Sequence, residues 1–165
     1  KENRKLSIPT KFIVGDIVKL KLREFYDFVV SLSCADWNIE TNKIIAACWK
    51  KVKPGGYFII SLRITPDKGI NNIKKSYQYI NYSGNEKKPK IANYVVLNSG
   101  DALDTLKSLT PSPSFILGYG YWGKPSPTAV TPFDKLVFTV FAVKKSNSKK
   151  EKIRYELHWP LNKSR

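Results

Sequence analysis

The junction Lys53-Pro54-Gly55-Gly56 joins a segment of helical periodicity to an uninterrupted apolar run, and it limits the possible folds sharply. Upstream of it, Ile44, Ile45, Cys48, Trp49 and Val52 recur at the spacing of one helix face, with Asn38 or Thr41 placed to cap the start. Proline cannot continue that helix, and two glycines permit the positive φ of a tight reversal. Downstream, Tyr57-Phe58-Ile59-Ile60-Ser61-Leu62 is apolar on successive residues, the pattern of a strand covered on both faces. A second such run, Tyr26-Asp27-Phe28-Val29-Val30-Ser31-Leu32, lies before the helix. Residues 26–62 therefore predict strand, helix, turn, strand: one right-handed βαβ unit. A further short apolar run, Phe12-Ile13-Val14, ends in Gly15-Asp16-Ile17 and predicts another strand over 12–17.

The order FIVGD, YDFVVSLS, helix, VKPGGYFIIS resembles the second half of a class I, Rossmann-like, S-adenosylmethionine-dependent methyltransferase. By motif the resemblance covers 12–62, and by order of elements about 5–143. It implies a doubly wound, mostly parallel α/β sheet ending in an antiparallel strand pair, with the last strand inserted beside the fifth. It also implies S-adenosylmethionine as cofactor. Gly15, Asp16 and Ile17 fall where the family contacts the adenine, and Ser31, Leu32 and Ser33 fall at the methyl-transfer point. Asp16 can equally be a turn residue at a strand end. Ser31 and Ser33 either face the transfer site or cap the following helix.

The family's glycine-rich loop and the acidic residue that holds the ribose have no counterpart in this sequence. Gly118-Tyr119-Gly120 matches the loop by letter only, because it sits late in the chain within an aromatic β-pattern. With no Met in the sequence, and Lys1–Lys5 patterned like the tail of a helix, the N-terminal cofactor half reads as missing. The reading divides the chain into residues 1–143 as the C-terminal portion of the domain, 144–152 as a charged linker, and 153–165 as an extra strand and tail. In that tail Ile153, Tyr155, Leu157 and Trp159 alternate with polar residues, the pattern of a strand that either covers a sheet edge or pairs with another subunit.

Val18–Phe25 is shorter than the dozen or more residues of an ordinary parallel crossover, so local physics alone admits a hairpin between 12–17 and 26–32. The resemblance implies non-adjacent strands instead. Beyond residue 62, Pro66–Tyr94 is a polar, tyrosine-bearing stretch with Tyr77, Tyr79 and Tyr82, read either as an acceptor lid or as a surface insertion. A helix follows, capped by Asn98 or Ser99 and ended by Pro111 and Pro113. Ser114–Trp122 and Lys135–Val143 predict strands, and the proline-rich linker between them suits an antiparallel pair.

The net charge of +16 invites a nucleic-acid reading, but Lys outnumbers Arg 24 to 5 and bidentate phosphate and guanine contacts favour Arg. One His and two Cys do not make a structural zinc site, and no metal is expected. No run reaches the ~20 apolar residues that span a bilayer. The two cysteines, with Cys48 on the apolar helix face, suit a reducing cytoplasm.

Methyl transfer rests largely on proximity and orientation, so no acid–base pair is required, and no catalytic residue is assigned. Trp37, Tyr77, Tyr121 and Trp122 are candidate contacts to a small-molecule acceptor, with Asp36 at the mouth of the same site. His158, the lone His, has no identifiable partner for a general-base role. Two other functional classes stand beside the enzyme: a catalytically silent binding module on the same framework, and a basic nucleic-acid-associated protein.

Overall fold

Two helices cover one face of a mixed sheet, and the apolar residues that the periodicity singles out are the ones they bury. The computed structural model describes residues 10–80, 89–148 and 152–160. Strand β1 (Tyr26–Ser31) leads through a 3-10 turn at Ala35–Trp37 into helix α1 (Thr41–Lys50) and strand β2 (Val52–Thr65). β1 and β2 pair in parallel, which completes the expected βαβ unit. Ile44, Ile45, Cys48 and Trp49 of α1 are buried, as are Phe58, Ile60, Leu62 and Ile64 of β2.

The Pro-Gly-Gly element does not separate helix from strand as expected. β2 already begins at Val52, and the register jumps from Tyr26↔Val52 to Phe28↔Tyr57. Lys53–Gly56 is thus an irregularity inside the strand, and Gly55 supplies its positive φ of 75°. The start of α1 also differs. Glu40 occupies the cap position without a side-chain cap bond, while Asn38 Oδ1 accepts from the Glu40 N–H at 2.8 Å.

Beyond β2 come β3 (Tyr77–Ile80), β4 (Lys90–Asn93), β5 (Leu97–Asn98), α2 (Ser99–Lys107), β6 (Pro113–Gly123), β7 (Ala129–Val130), β8 (Leu136–Lys145) and β9 (Arg154–His158). The main sheet has the order β1-β2-β8-β6-β9, with β5 also paired in parallel to the end of β2. β8 therefore lies between β2 and β6 and is antiparallel to both, the inserted last strand that the resemblance implies. α2 is capped as expected: Asn98 Oδ1 accepts from Gly100 N at 2.8 Å and Asp101 N at 3.2 Å. The Asn98 amide donates to the carbonyls of Pro66 and Asp67, which ties the helix start to the end of β2.

Gly118 and Gly120 owe their place to packing. A Cβ on Gly118 would stand 2.9 Å from the Phe141 ring, and one on Gly120 would stand 2.8 Å from Thr139 Cγ2. These two glycines let the buried side chains of β8 lie against β6.

Two further expectations need correction. Residues 12–17 form no strand. Phe12 and Val14 are exposed, and Asp16–Leu20 make a turn in which the Asp16 carbonyl accepts from Lys19 N and Leu20 N. Among the described residues no strand flanks the outer edge of β1, so this run has no ladder to join. The charged segment after residue 143 also begins inside structure. β8 runs to Lys145, which is buried and donates from Nζ to the carbonyls of Trp49 and Val52 at 3.0 and 2.7 Å. The cation there bridges the last turn of α1, through the Trp49 carbonyl, and the start of β2, through the Val52 carbonyl. The period-two tail forms β9, which pairs in parallel with β6 and covers that edge of the chain's own sheet.

Candidate functional site

At the carboxyl ends of β1 and β2, on the sheet face away from the helices, lies a cavity of about 590 Å³. Ligand sites of α/β sheets form at this end of the strands. Its floor is Ser61, Leu62 and Arg63 of β2 with Phe138, Thr139 and Val140 of β8; Leu32 and Ser33 close it beyond β1. Tyr119 and Tyr121 of β6 form a wall, and Lys124 and Ser126 come from the following loop. Gln78 and Tyr94 reach in from the region of a small second sheet, in which β3 pairs with β4 and β7.

That second sheet explains the tyrosine-bearing stretch. Its described residues reach the site through Gln78 and Tyr94, and Ser76 Oγ donates to the Tyr94 carbonyl at 2.6 Å. Tyr77 and Tyr79 meet edge to face, with ring centroids 5.4 Å apart. Hydrogen bonding to Tyr77 raises the Tyr79 phenol above its ordinary pKa. Tyr82 lies outside the described residues.

Ser33 has a φ of 49°, the one positive φ on a non-glycine residue among the described residues. Its N–H donates to Ser61 Oγ at 2.6 Å, so a neighbouring strand holds this turn in place. Backbone held in the left-handed region by surrounding contacts is a mark of functional turns. Here it sets the edge of the cavity where β1 ends.

The most constrained group in the cavity is an ion pair. Asp36 and Arg63 have side chains 5% and 6% exposed, and Arg63 Nε donates to Asp36 Oδ2 at 2.7 Å. The Arg63 backbone N–H donates to the same oxygen at 3.0 Å, and its terminal nitrogen donates to the Asp36 carbonyl at 2.5 Å. The guanidinium lies 3.8 Å from the Tyr94 ring centroid and 5.1 Å from that of Trp37. Oδ1 of Asp36 is buried and has no hydrogen-bond partner among the described residues.

Of the residues singled out from sequence, Leu32, Ser33, Trp37 and Tyr121 come together at this cavity. Ser31 is buried and is not among the lining residues. Gly15, Asp16, Ile17, Tyr77 and Trp122 are not among its lining residues. Ile17 packs against the main core instead. Asp16 is half exposed, with Oδ1 accepting from Val18 N at 2.9 Å and Oδ2 3.7 Å from Lys19 Nζ. His158 sits on β9 beside Glu156, 2.6 Å from its carboxylate and outside the cavity lining.

Sequence reasoning placed Asp36 at the mouth but missed its bond to Arg63. A signal was present: Arg63 interrupts an apolar strand in a chain poor in arginine, and a buried guanidinium needs a counterion. Phe138 and Tyr94 gave no such signal, since an aromatic residue in a strand pattern reads equally as packing. No group of three metal-ligating side chains occurs among the described residues.

A family model described as "Methyltransferase domain" matches residues 1–60, less than half of the chain. No curated protein matches the chain by sequence. Solved structures that match include an S-adenosylmethionine-dependent methyltransferase from Clostridium acetobutylicum ATCC 824, at 13% identity and a TM-score of 0.47, over 81% of this chain and 64% of that one. The glycopeptide N-methyltransferase MtfA also matches. Its complex with S-adenosyl-L-homocysteine gives 15% identity and a TM-score of 0.39, over 80% of this chain and 60% of MtfA. Its complex with S-adenosyl-L-methionine gives 16% and 0.39, over 79% and 63%. The chain thus spans less than two thirds of the length of each.

Proposed function

We propose that the complete protein is an S-adenosylmethionine-dependent methyltransferase acting on a small molecule, with the cavity beyond β1 and β2 as its acceptor chamber. The observation that carries this reading is a coincidence of place. The segment matching the methyltransferase-domain model contains β1, and β1 ends at the held turn of Ser33 on the cavity wall. The sheet order supports it, with β8 inserted between β2 and β6.

The residues present suit the cofactor at two points. Asp16 keeps an exposed carboxylate oriented by its bond to Val18 N, and its contact with Lys19 is a solvent-screened pair that a stronger donor displaces at little cost. We assign it, with the adjoining Gly15 and Ile17 backbone, to the adenine amine and ring. Ser31, Leu32 and Ser33 are assigned to the transfer point, where the Ser33–Ser61 bond fixes the turn. When bound, S-adenosylmethionine supplies an electrophilic methyl group on a sulfonium.

The chain's own contribution is orientation and exclusion of water. Trp37, Tyr94, Tyr121 and Phe138 give the chamber apolar walls. These walls touch in pairs: Tyr121 stacks on Phe138 at 5.9 Å, and Trp37 meets Tyr94 edge to face at 6.5 Å. Holding an acceptor at one position against such walls makes the reaction effectively unimolecular, a large part of the rate gain open to a transferase. A volume of about 590 Å³ lies in the range of small-molecule sites.

No helix among the described residues is long and apolar enough to cross a membrane. Cys34 and Cys48 are free thiols, which suits the cytoplasmic location we include in the reading. Calorimetry with S-adenosyl-L-homocysteine tests the proposal on the full-length protein and on Asp16→Ala. We expect binding by the first and at least a tenfold loss in the second, the size of one charge-assisted hydrogen bond. Equal affinities would remove Asp16 from the site, and no binding by either protein would remove the enzyme reading.

A further inference from the structure

We infer that the far end of the same sheet face carries a second ligand site, a pocket for the phosphate group of a small phosphoester. It is separate from the cavity read as an acceptor chamber, and it stands or falls without that reading.

The pocket, of about 340 Å³, is lined by Tyr57 of β2, Lys144 of β8, Ser114 and Phe115 of β6, Arg154 of β9 and Lys152 just before it. Strand register builds it. Phe28, Tyr57, Lys144, Phe115 and Arg154 are successive cross-strand partners, so they stand in one row on one face of the sheet. Their chain neighbours Phe58, Val143 and Ile116 are buried in the core on the other face. From Tyr57 onward the row alternates aromatic and basic side chains. The Lys144 ammonium lies 5.8 Å from the Tyr57 ring centroid, and the Arg154 guanidinium 5.9 Å from that of Phe115. A ring face draws a cation and fixes its place but does not neutralise it. Every charged side chain of the lining is a cation, and none of the three forms an ion pair among the described residues. A concavity lined by one sign of charge focuses its field and concentrates counter-ions.

The lining also decides which anion. Three cations and the Ser114 hydroxyl exceed what the two oxygens and single charge of a carboxylate can answer. A terminal phosphate brings three acceptor oxygens and close to two charges, and the guanidinium fork of Arg154 matches its geometry. The next row shows why the ligand is compact. Val30, Ile59, Ala142, Leu117 and Glu156 are the successive partners one step nearer the cavity, a row without a cation and with a carboxylate at its end. A nucleic-acid strand needs positive charge repeated along its path. This face confines it to one row.

The test uses the full-length protein at low ionic strength, where exposed charges are least screened. Methyl phosphate, acetate and a single-stranded oligothymidylate are titrated in turn while the backbone amide resonances of Phe115 and Lys144 are followed. Methyl phosphate is expected to saturate one site with a Kd below about 10 mM, and to bind at least about tenfold more tightly than acetate. Lys144→Gln and Arg154→Gln are each expected to weaken it at least about fivefold. Lys75→Gln, at an exposed lysine outside the lining, is expected to leave it unchanged. Equal binding of methyl phosphate and acetate, or no saturation, would overturn the inference. So would an equal loss in Lys75→Gln, which would reveal only the attraction of a basic protein for anions. Oligothymidylate shifting the same resonances at lower concentration than methyl phosphate would overturn the compact ligand in favour of a strand. The comparison of the two small anions needs no variant, so it decides the matter even where Arg154→Gln disturbs β9.

Discussion

Replacing Arg63 by Met is expected to destabilise the fold by about 3–5 kcal/mol, the penalty for leaving one member of a buried ion pair uncompensated. The upper part of this range applies because solvent offers no relief: both side chains are under a tenth exposed. Arg63→Met removes the Nε bond at 2.7 Å and the bond to the Asp36 carbonyl, and strips the guanidinium from the Tyr94 ring at 3.8 Å. The Arg63 backbone N–H still holds Oδ2, so the carboxylate loses its charge partner but not every donor. In a domain of this size each kcal/mol moves the melting temperature by roughly 2–4 °C, giving a drop of about 10 °C.

The informative control is the pair Asp36→Leu and Arg63→Met together. Apolar replacement of a whole buried pair is often neutral, so the double variant is expected to regain most of the loss. It does not regain all, because the Arg63 N–H is left without an acceptor, at about 1–3 kcal/mol. Urea unfolding of the four proteins in the cycle gives the coupling energy directly. A single-variant loss below about 1 kcal/mol would refute the reasoning, since it is the value of a surface pair. So would additive losses.

Much of the main sheet is legible in the sequence. Residues 44–49, 57–62 and 136–143 carry unbroken periodicities because each element buries a full face, and burial writes itself into sequence. The run at 12–17 has the same apolar letters but no neighbour among the described residues, and apolar content alone does not make a ladder. The Pro-Gly-Gly element reads as a turn because local residues report local φ. Whether the chain reverses there or bulges within a strand depends on the β1 partner across from it. The second sheet is hardest to see, since β3, β4 and β7 are short and joined from distant parts of the chain. The site follows the same rule. Ser33 and Trp37 lie next to a recognisable strand end, whereas the Asp36–Arg63 bond spans 27 positions and is declared only by a charge in an apolar strand.

Three further outcomes follow from the packing. Burial pushes the Cys48 thiol up to about 11 from an ordinary 9.0. The unfolded chain therefore loses its thiol proton first, and the contribution of Cys48 to stability is full below pH 9 and lost as pH rises toward 11. With a thiol reagent at pH 8, exposed Cys34 is expected to react at once and Cys48 only on unfolding; two equally fast thiols would contradict its burial. Asn98→Ala removes the cap of α2 and both ties to Pro66 and Asp67, a loss of about 1–2 kcal/mol in urea unfolding, whereas Asn98→Asp keeps the cap and loses less. The last outcome concerns the uncovered sheet face. Phe28 and Val30 lie outside the cavity lining and are both more than half exposed, and β1 has a free edge among the described residues. An apolar surface of that kind beside an unpaired edge is a template for association, so the 165-residue chain is expected to self-associate in sedimentation as its concentration rises. Phe28→Lys places a charge at the centre of the β1 face. It sacrifices one exposed ring contact, the stack on Tyr57 at 5.8 Å, and so costs little folding free energy. The variant is expected to stay monomeric at concentrations where the native chain does not, and unchanged association would show that this face is not the one that sticks.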